Sequence, residues 1–362
     1  MTAQHPGSFL ITTWDGGGNV PPAIALGQRL LRRGHGVRVI GSRTLAGAVD
    51  ESGLAFVPYT SLPDWPAGVP LDADIPRLMA MLDGDAMAAD IARELERDPA
   101  DVLIADCMSG AALAAAASLA LPTAILVHVL YELYAQSWGP RARALAGRTR
   151  VLCLTPPGFD AAVTAVPEET FHVGPVLAPD AREQAWSPRG DVPVVLVSFS
   201  TTLMGQSEAL PPVLAALAEL PVQGILTLGG VVDRSAIRAP DNVSVYEYLP
   251  HAAILPHAAA VLTHGGLSTI TSALAYGVPL VCLPQGRDQP LNAERVEATG
   301  VGRSLAAGSP PEAVAAAVRE VLDDSRYRAA AEAMAREISE LGRGAVAAQL
   351  TEGLLPSPGG SR

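Results

Sequence analysis

Residues Leu255 to Gly302 read LPHAAAVLTHGGLSTITSALAYGVPLVCLPQGRDQPLNAERVEATGVG, and the reading of this stretch decides the fold. Its opening apolar run, Ala259-Ala260-Val261-Leu262, predicts a short buried strand. The run passes into Thr263-His264-Gly265-Gly266, and after Leu267 the pair Ser268-Thr269 opens an Ala/Leu-rich segment with helical spacing. A strand, a glycine turn and a hydroxyl-flanked helix start together form an anion site. The first-turn amides of such a helix have no intrahelical partner, and the dipole there carries about half a positive charge. Gly265 and Gly266 let backbone approach a ligand because no Cβ intervenes. A second apolar strand, Pro279 to Leu283, then leads to Asp288, Gln289 and Asn292, at the strand end where open α/β sheets bind ligands. Singly these features read as a turn, an N-cap and a loop. Their spacing makes them converge on one pocket.

Around this stretch lies a chain of 362 residues, a length that suggests two domains of similar size. With 49% hydrophobic, 17% charged and 4% aromatic residues, the composition is that of a globular protein. All 25 basic residues are arginine and the net charge is −12, which argues against nucleic acid as a partner and against docking on anionic lipid. Cys107, Cys153 and Cys282 sit in or beside apolar runs without metal-binding spacing, so buried thiols and no metal site are expected. The most membrane-like stretch, Ala111 to Leu130, is broken by Ser118 and Pro122 and reads as a core helix followed by a strand. The N-terminus carries no recognisable export signal, so the expected location is cytoplasmic, with no stable membrane association.

In the first half, Ser8 to Thr13 predicts a strand, Trp14 to Asn19 a glycine-rich turn, and Val20-Pro21-Pro22 a helix start that tolerates proline. Gly34 is a plausible stop, followed by a strand at Val37 to Ile40. This is a Rossmann-like unit, but its glycines are consecutive and G-x-G-x-x-G is not met, which sets a dehydrogenase aside. The segment 61–76 reads as a surface loop holding Trp65. Ile75 to Leu95 reads as one helix with Met79, Met81, Leu82 and Met87 on its apolar face, either core filling or an adaptable wall for a flat ligand. The strand from Asp101 ends at Asp106, a position for a functional carboxylate or for a helix cap shared with Ser109. The strand from Thr123 runs to His128, followed by an aromatic-rich segment with Glu132. In the second half, the wholly apolar run Val194 to Phe199 predicts a strand of a parallel sheet, ending in Ser200-Thr201-Thr202.

These motifs resemble the family 1 glycosyltransferases with the GT-B fold, especially the bacterial natural-product (macrolide or antibiotic type) enzymes. The His264 to Gln289 segment resembles their donor-sugar signature. Ser200-Thr201 resembles their S-x-G-T loop, with Ser200 in place of glycine, and Tyr248-Leu249-Pro250-His251 resembles the base-binding segment. Arg33-Gly34-His35-Gly36-Val37 matches the end of their first βα unit, and Phe171-His172-Val173-Gly174-Pro175 their domain crossover. The resemblance implies an α/β fold of two Rossmann-like domains with parallel sheets facing across a cleft. The N-terminal, acceptor-binding domain would span 1–178, a linker 179–192, the nucleotide-sugar domain 193–343, and a helix returning to the first domain 344–362.

It further implies an inverting, metal-independent transfer from a UDP- or dTDP-sugar, a co-substrate rather than a cofactor, to a small apolar acceptor, by a monomer or homodimer. Donor contacts would come from Ser200, Thr201, Leu249, His264, Gly265, Gly266, Ser268, Thr269, Asp288 and Gln289, with Ser272 where many relatives have a ribose-binding glutamate. Trp65, Met79, His128 and Glu132 would line the acceptor site. One departure bears on catalysis: Asn19 stands where most members carry the base histidine, and an amide cannot serve as a general base. Three explanations are open: Asp15 or Asp106 takes over, the acceptor needs little base assistance, or transfer is slow or absent. The first is carried forward, with His128 and Glu132 as reserve bases and a structural role the plainer reading of His128. Two further readings are an epimerase of the same fold and a non-catalytic partner of another transferase.

Overall fold

The computed structural model describes residues 6–356 except 67–68, 143–144, 146, 161–165, 179–185, 200–201, 203–205 and 231, with only the backbone of 206–207. The chain divides into two compact units, Met1–Pro179 with Leu341–Arg362, and Asp180–Glu340.

The first unit is built on seven strands: β1 (Ser8–Thr12), β2 (Gly36–Gly41), β3 (Ala55–Pro58), β4 (Val102–Asp106), β5 (Thr123–Val127), β6 (Thr149–Cys153) and β7 (Thr170–His172). They run in the order β3-β2-β1-β4-β5-β6-β7, and every pairing is parallel. Strands β4 and β5 are buried at all positions because helices cover both faces of the sheet, which is why their sequences do not alternate. The period-2 geometry shows in β1, where Leu10 joins one core cluster and Phe9 and Ile11 join the cluster on the other face.

The second unit repeats the plan with six strands, β8 (Val194–Ser198), β9 (Gln223–Thr227), β10 (Val243–Tyr246), β11 (Ala258–Thr263), β12 (Leu280–Cys282) and β13 (Gly302–Ser304). Their order is β10-β9-β8-β11-β12-β13, again all parallel. The direction of winding therefore reverses between β1 and β4 in one unit and between β8 and β11 in the other. These are the crevices where doubly wound sheets bind ligands.

The single helix expected over Ile75 to Leu95 is two, Ile75–Asp83 and Asp85–Arg97. Gly84 between them is extended (φ −82, ψ 157), and a Cβ there would lie 2.4 Å from the Ala80 carbonyl oxygen. Helical periodicity continues through both halves, so the break is invisible to pattern and visible only in the close backbone approach that glycine permits. Met87 is buried in the core and Met79 and Met81 pack half-buried against it.

At the C-terminus the helix Ser325–Glu340 belongs to the second unit and the helix Ala345–Glu352 to the first. The turn between them uses left-handed backbone at Gly342, Arg343 and Gly344 (φ 69, 50 and 111). The guanidinium of Arg29 ties it down by donating to the carbonyls of Leu177 (3.0 Å) and Arg343 (2.8 Å). The carboxylate of Glu352, buried in this unit, accepts from Arg33 (Nη2, 2.6 Å) and from His35 Nε2 (2.9 Å). Because His35 Nδ1 accepts from the Gly7 amide (3.0 Å), Nε2 carries the proton. The Arg33-Gly34-His35 stretch thus anchors the returning helix. Cys107, Cys153 and Cys282 are free and buried. Among the described residues no helix is long and apolar enough to cross a membrane.

Candidate functional site

In the second unit the glycine turn follows β11 at the winding reversal. The helix after it, Leu267–Leu274, has Gly266 as its N-cap, so Ser268 and Thr269 lie inside its first turn as half-buried hydroxyls rather than capping it. Helical hydrogen bonding begins at the amide of Thr269, which donates to the Gly266 carbonyl (3.0 Å), leaving the preceding amides ahead of the ladder. Gly265 is left-handed (φ +87), and a Cβ on Gly266 would fall 2.5 Å from His264 Nε2. Both glycines are therefore required, one by its torsion and the other because the His264 ring lies directly against it.

His264 is buried, its ring against Phe199 (6.3 Å between centroids) and its Nδ1 3.2 Å from the Thr263 hydroxyl. Burial first, and the nearby Arg287 charge after it, push its pKa down to about 4, against a backbone hydrogen bond at Ser198 that raises it. The ring is neutral at physiological pH and can offer hydrogen bonds rather than charge.

The loop after β12 is braced from within. Asn292 donates to the Gly265 carbonyl (3.0 Å) and to Asp288 Oδ2 (2.8 Å). Gln289 is buried, and its Oε1 accepts the amides of Gln285 (2.8 Å) and Gly286 (3.3 Å). Gln289 and Asn292 hold the shape of the site, a role that residue type alone did not separate from ligand contact. Leu249 is half-buried ahead of the short helix His251–Ile254, and Ser200 and Thr201 lie outside the described residues. Two further groups lie here, His251, which the sequence places only within the Tyr248–His251 segment, and Arg287, which it does not single out. His251 sits 3.2 Å from the Thr227 hydroxyl at the end of β9, its pKa pushed by burial to about 4. Arg287 is exposed in left-handed backbone (φ 56) and brings a positive charge to bear on His264.

In the first unit the reversal between β1 and β4 gathers three separated residues. Asn19, buried at the start of the helix Val20–Arg32, donates Nδ2 to Asp106 Oδ2 (2.8 Å) and to the Trp14 carbonyl (2.9 Å). Asp106 Oδ1 accepts the Met108 amide (2.9 Å), and the two carboxylate oxygens each lie 3.1 Å from His128 Nε2. The cap of the helix Gly110–Ser118 is Ser109, whose hydroxyl accepts the Ala112 amide, so Asp106 is spared that duty. Burial raises the Asp106 pKa, but His128, the Met108 amide and Asn19 outweigh it and hold the carboxyl below its ordinary range. For His128 burial lowers the pKa, and Cys107 and Asp106 reverse this, leaving it well above 6.5. Ligand atoms of Asp106, Cys107 and His128 lie within 4.8 Å of one another, a cluster that spacing along the chain did not reveal because the histidine comes from the neighbouring strand.

The other first-unit candidates stand apart. Asp15 is exposed and accepts from the Thr44 hydroxyl (2.7 Å), and Glu132 is exposed and accepts from Gln136 (3.3 Å). Among the described residues neither hydrogen-bonds Asn19, Asp106 or His128. Trp65, half-buried with Met79 against the core, donates to the Val69 carbonyl (3.0 Å) beneath the Arg77 guanidinium.

Residues 212–351 match the erythromycin biosynthesis protein CIII-like, C-terminal domain family. Over 96% of its length the chain is 26% identical to 4'-demethylrebeccamycin synthase of Lentzea aerocolonigenes, covering 99% of that protein. It superposes on the crystal structure of the glycotransferase of kitacinnamycin with a TM-score of 0.81 and 28% identity, covering 97% of this chain and 99% of that one. The spinosyn rhamnosyltransferase SpnG complexed with thymidine diphosphate shares the fold at a TM-score of 0.69 and 20% identity, over 92% of this chain and 96% of that one. With a C-terminal match of this type, a full-length antibiotic-type relative and two parallel sheets reversing at matching points, the chain has the GT-B fold and is similar to the bacterial natural-product glycosyltransferases.

Proposed function

We propose that this protein transfers a sugar from a UDP- or dTDP-linked donor to a small apolar acceptor, inverting the anomeric carbon and using no metal. The observation that carries the reading is the His264-Gly265-Gly266 turn at the N-terminus of the helix Leu267–Leu274, sited at the winding reversal and braced by Asn292. The donor's diphosphate would accept hydrogen bonds from the turn amides, the Ser268 and Thr269 hydroxyls and neutral His264. The helix dipole and Arg287 would offset its charge, and so the reading needs neither a metal nor a cofactor. As the bond from sugar to diphosphate breaks, the electron pair passes to the phosphate oxygen, where these donors stabilise it before the leaving group diffuses away. Removing one preorganised donor of this kind commonly costs ~10²–10³ in rate. Asp288, at the mouth of the same loop, would take sugar hydroxyls, contacts that discriminate strongly between sugars. The thymidine diphosphate seen on a protein of the same fold supports the choice of a pyrimidine nucleotide.

The acceptor would lie at the strand ends of the first unit, close to His128. Single displacement at the sugar requires a base for the acceptor and no enzyme nucleophile. Nucleotide sugars and their consumers share the cytoplasm, the location this reading implies.

A thermal-shift panel of UDP, dTDP, GDP and ADP tests the donor assignment. A ligand at ~100 times its Kd adds about 2.7 kcal/mol of stability, a visible rise in Tm. The expected result is a shift with a pyrimidine diphosphate and little with a purine one. No shift with any of the four would remove the donor assignment.

A further inference from the structure

We propose that His128, oriented by Asp106, is the group that takes the proton from the acceptor, and that Asn19 is a positioning residue for Asp106. The proposal deepens the transferase reading above and rests on it. Its ground is the way Asp106 is occupied. The carboxylate is buried and accepts from the Met108 amide, Asn19 Nδ2 and His128 Nε2. A carboxylate so engaged, with its pKa held low, is a poor proton acceptor and a good orienter. His128 differs. Its side chain is 15% exposed, against 4% for Asp106, so the ring reaches the surface that the carboxylate does not. With Nε2 directed at Asp106, the neutral ring keeps its proton on Nε2 and has its lone pair on Nδ1, and the Cys107 side chain also hydrogen-bonds the ring.

Asn19 supports this geometry and cannot replace it. Both of its Nδ2 protons are engaged, on Asp106 and on the Trp14 carbonyl, while its Oδ1 is buried without a partner. A Cβ on Gly16 would meet that oxygen at 2.8 Å, so the amide is packed under the turn after β1 rather than offered to a ligand. Asp15 and Glu132 are on exposed surface with partners of their own.

The step balances. The acceptor X–H gives its proton to His128 Nδ1 as X forms its bond to the anomeric carbon. The bond from that carbon to the diphosphate oxygen breaks with its electron pair, and the imidazolium formed is held by the Asp106 carboxylate. Groups facing the histidine are Asp106 and Cys107 from the end of β4, with Tyr59 beside Asp106 and Tyr134 beside Cys107. Burial pushes both tyrosines far up, so neither ionises in the working range. On this proposal the ascending, acid-side limb of turnover belongs to His128. Since its pKa is raised, transfer climbs with pH through a value above 6.5.

The test uses the full chain, dTDP-glucose and UDP-glucose as donors, and a series of small phenols from un-ionised to ionised at the assay pH. H128Q is expected to lose about 10²–10⁴-fold in kcat with un-ionised phenols and little with an ionised nitrophenol. Its dTDP or UDP affinity should equal wild type. H128Q turning over un-ionised phenols within about threefold of wild type would overturn the proposal. An NMR titration of the His128 ring decides the matter independently of acceptor choice. A pKa above 6.5 that falls in D106N is expected, and one indifferent to D106N would overturn it. A stoichiometric metal on the purified chain that is lost in H128Q would also overturn it, because a metal would occupy the lone pair. Failure of wild type to bind any nucleotide would instead fault the donor reading.

Discussion

The two winding reversals occupy the same topological position and are furnished in opposite ways. Between β8 and β11 the chain places backbone: two glycines, a helix start, and a histidine kept neutral with a pKa near 4. Between β1 and β4 it places titratable side chains, with a buried carboxylate and a histidine whose pKa is raised. Burial acts on both histidines in the same direction, downward. What separates them is the partner: Cys107 and Asp106 for His128, and, among the described residues, no carboxylate for His264. One fold plan, used twice, thus yields a backbone-lined turn with a neutral histidine and a charged side-chain cluster, which the proposed function assigns to diphosphate binding and to proton transfer.

The largest effect that would break this contrast is on His128. Converting it to Gln is expected to remove the proton-handling side while leaving nucleotide binding untouched. The next is at Gly266. Gly266→Ala puts a Cβ against the His264 ring at 2.5 Å, so that ring or the helix start must move. Donor affinity by calorimetry is expected to fall about 10- to 100-fold, while the His128 titration stays as in wild type. Equal affinity would mean that the turn does not touch the donor. Asn292→Ala removes the brace on the Gly265 carbonyl and on Asp288, and a smaller drop, about tenfold, is expected.

A pH series sharpens the same comparison. A neutral His264 with a pKa near 4 predicts that affinity for a dTDP-sugar, whose diphosphate does not titrate in this range, is flat from about pH 5.5 to 8. A steep gain on acidification through 6.5 would show that His264 binds as a cation.

The smallest effect lies far from both reversals. Glu352 is buried, which raises its pKa, but Arg33 and His35 outweigh this and hold it low. Its contribution to stability is then complete above the ordinary glutamate range and is lost as pH falls through its lowered value. Glu352→Gln is expected to destabilise the protein by about 1–3 kcal/mol near neutrality, with the difference shrinking in acid, measured by denaturant unfolding.

These contrasts also explain what could be read without coordinates. The strand, turn and helix around His264 were legible because they are contiguous. Strand, glycine turn and helix start follow one another from Ala258 to Leu274, and local rules of backbone geometry suffice. The parallel character of the sheets was legible in unbroken apolar runs such as Val194 to Ser198. The first-unit constellation was not, because its members are 87 and 22 residues apart and meet only through the register of β4 beside β5. Sequence alone puts Asp106 or Asp15 first as the base, keeps His128 and Glu132 in reserve, and places both of the latter in the acceptor site. Only side-chain geometry shows Asp106 already engaged, Asp15 on Thr44, and His128 on Asp106. Gln289 and Asn292 illustrate the converse limit, since their hydrogen bonds to the loop backbone cannot be told from residue type.

The most direct measurement sets H128Q beside G266A in one pair of assays, turnover of an un-ionised phenol and affinity for the pyrimidine diphosphate that stabilises wild type. The account predicts that both lose turnover and that G266A alone loses affinity. Full turnover in H128Q, or wild-type affinity in G266A, would contradict it.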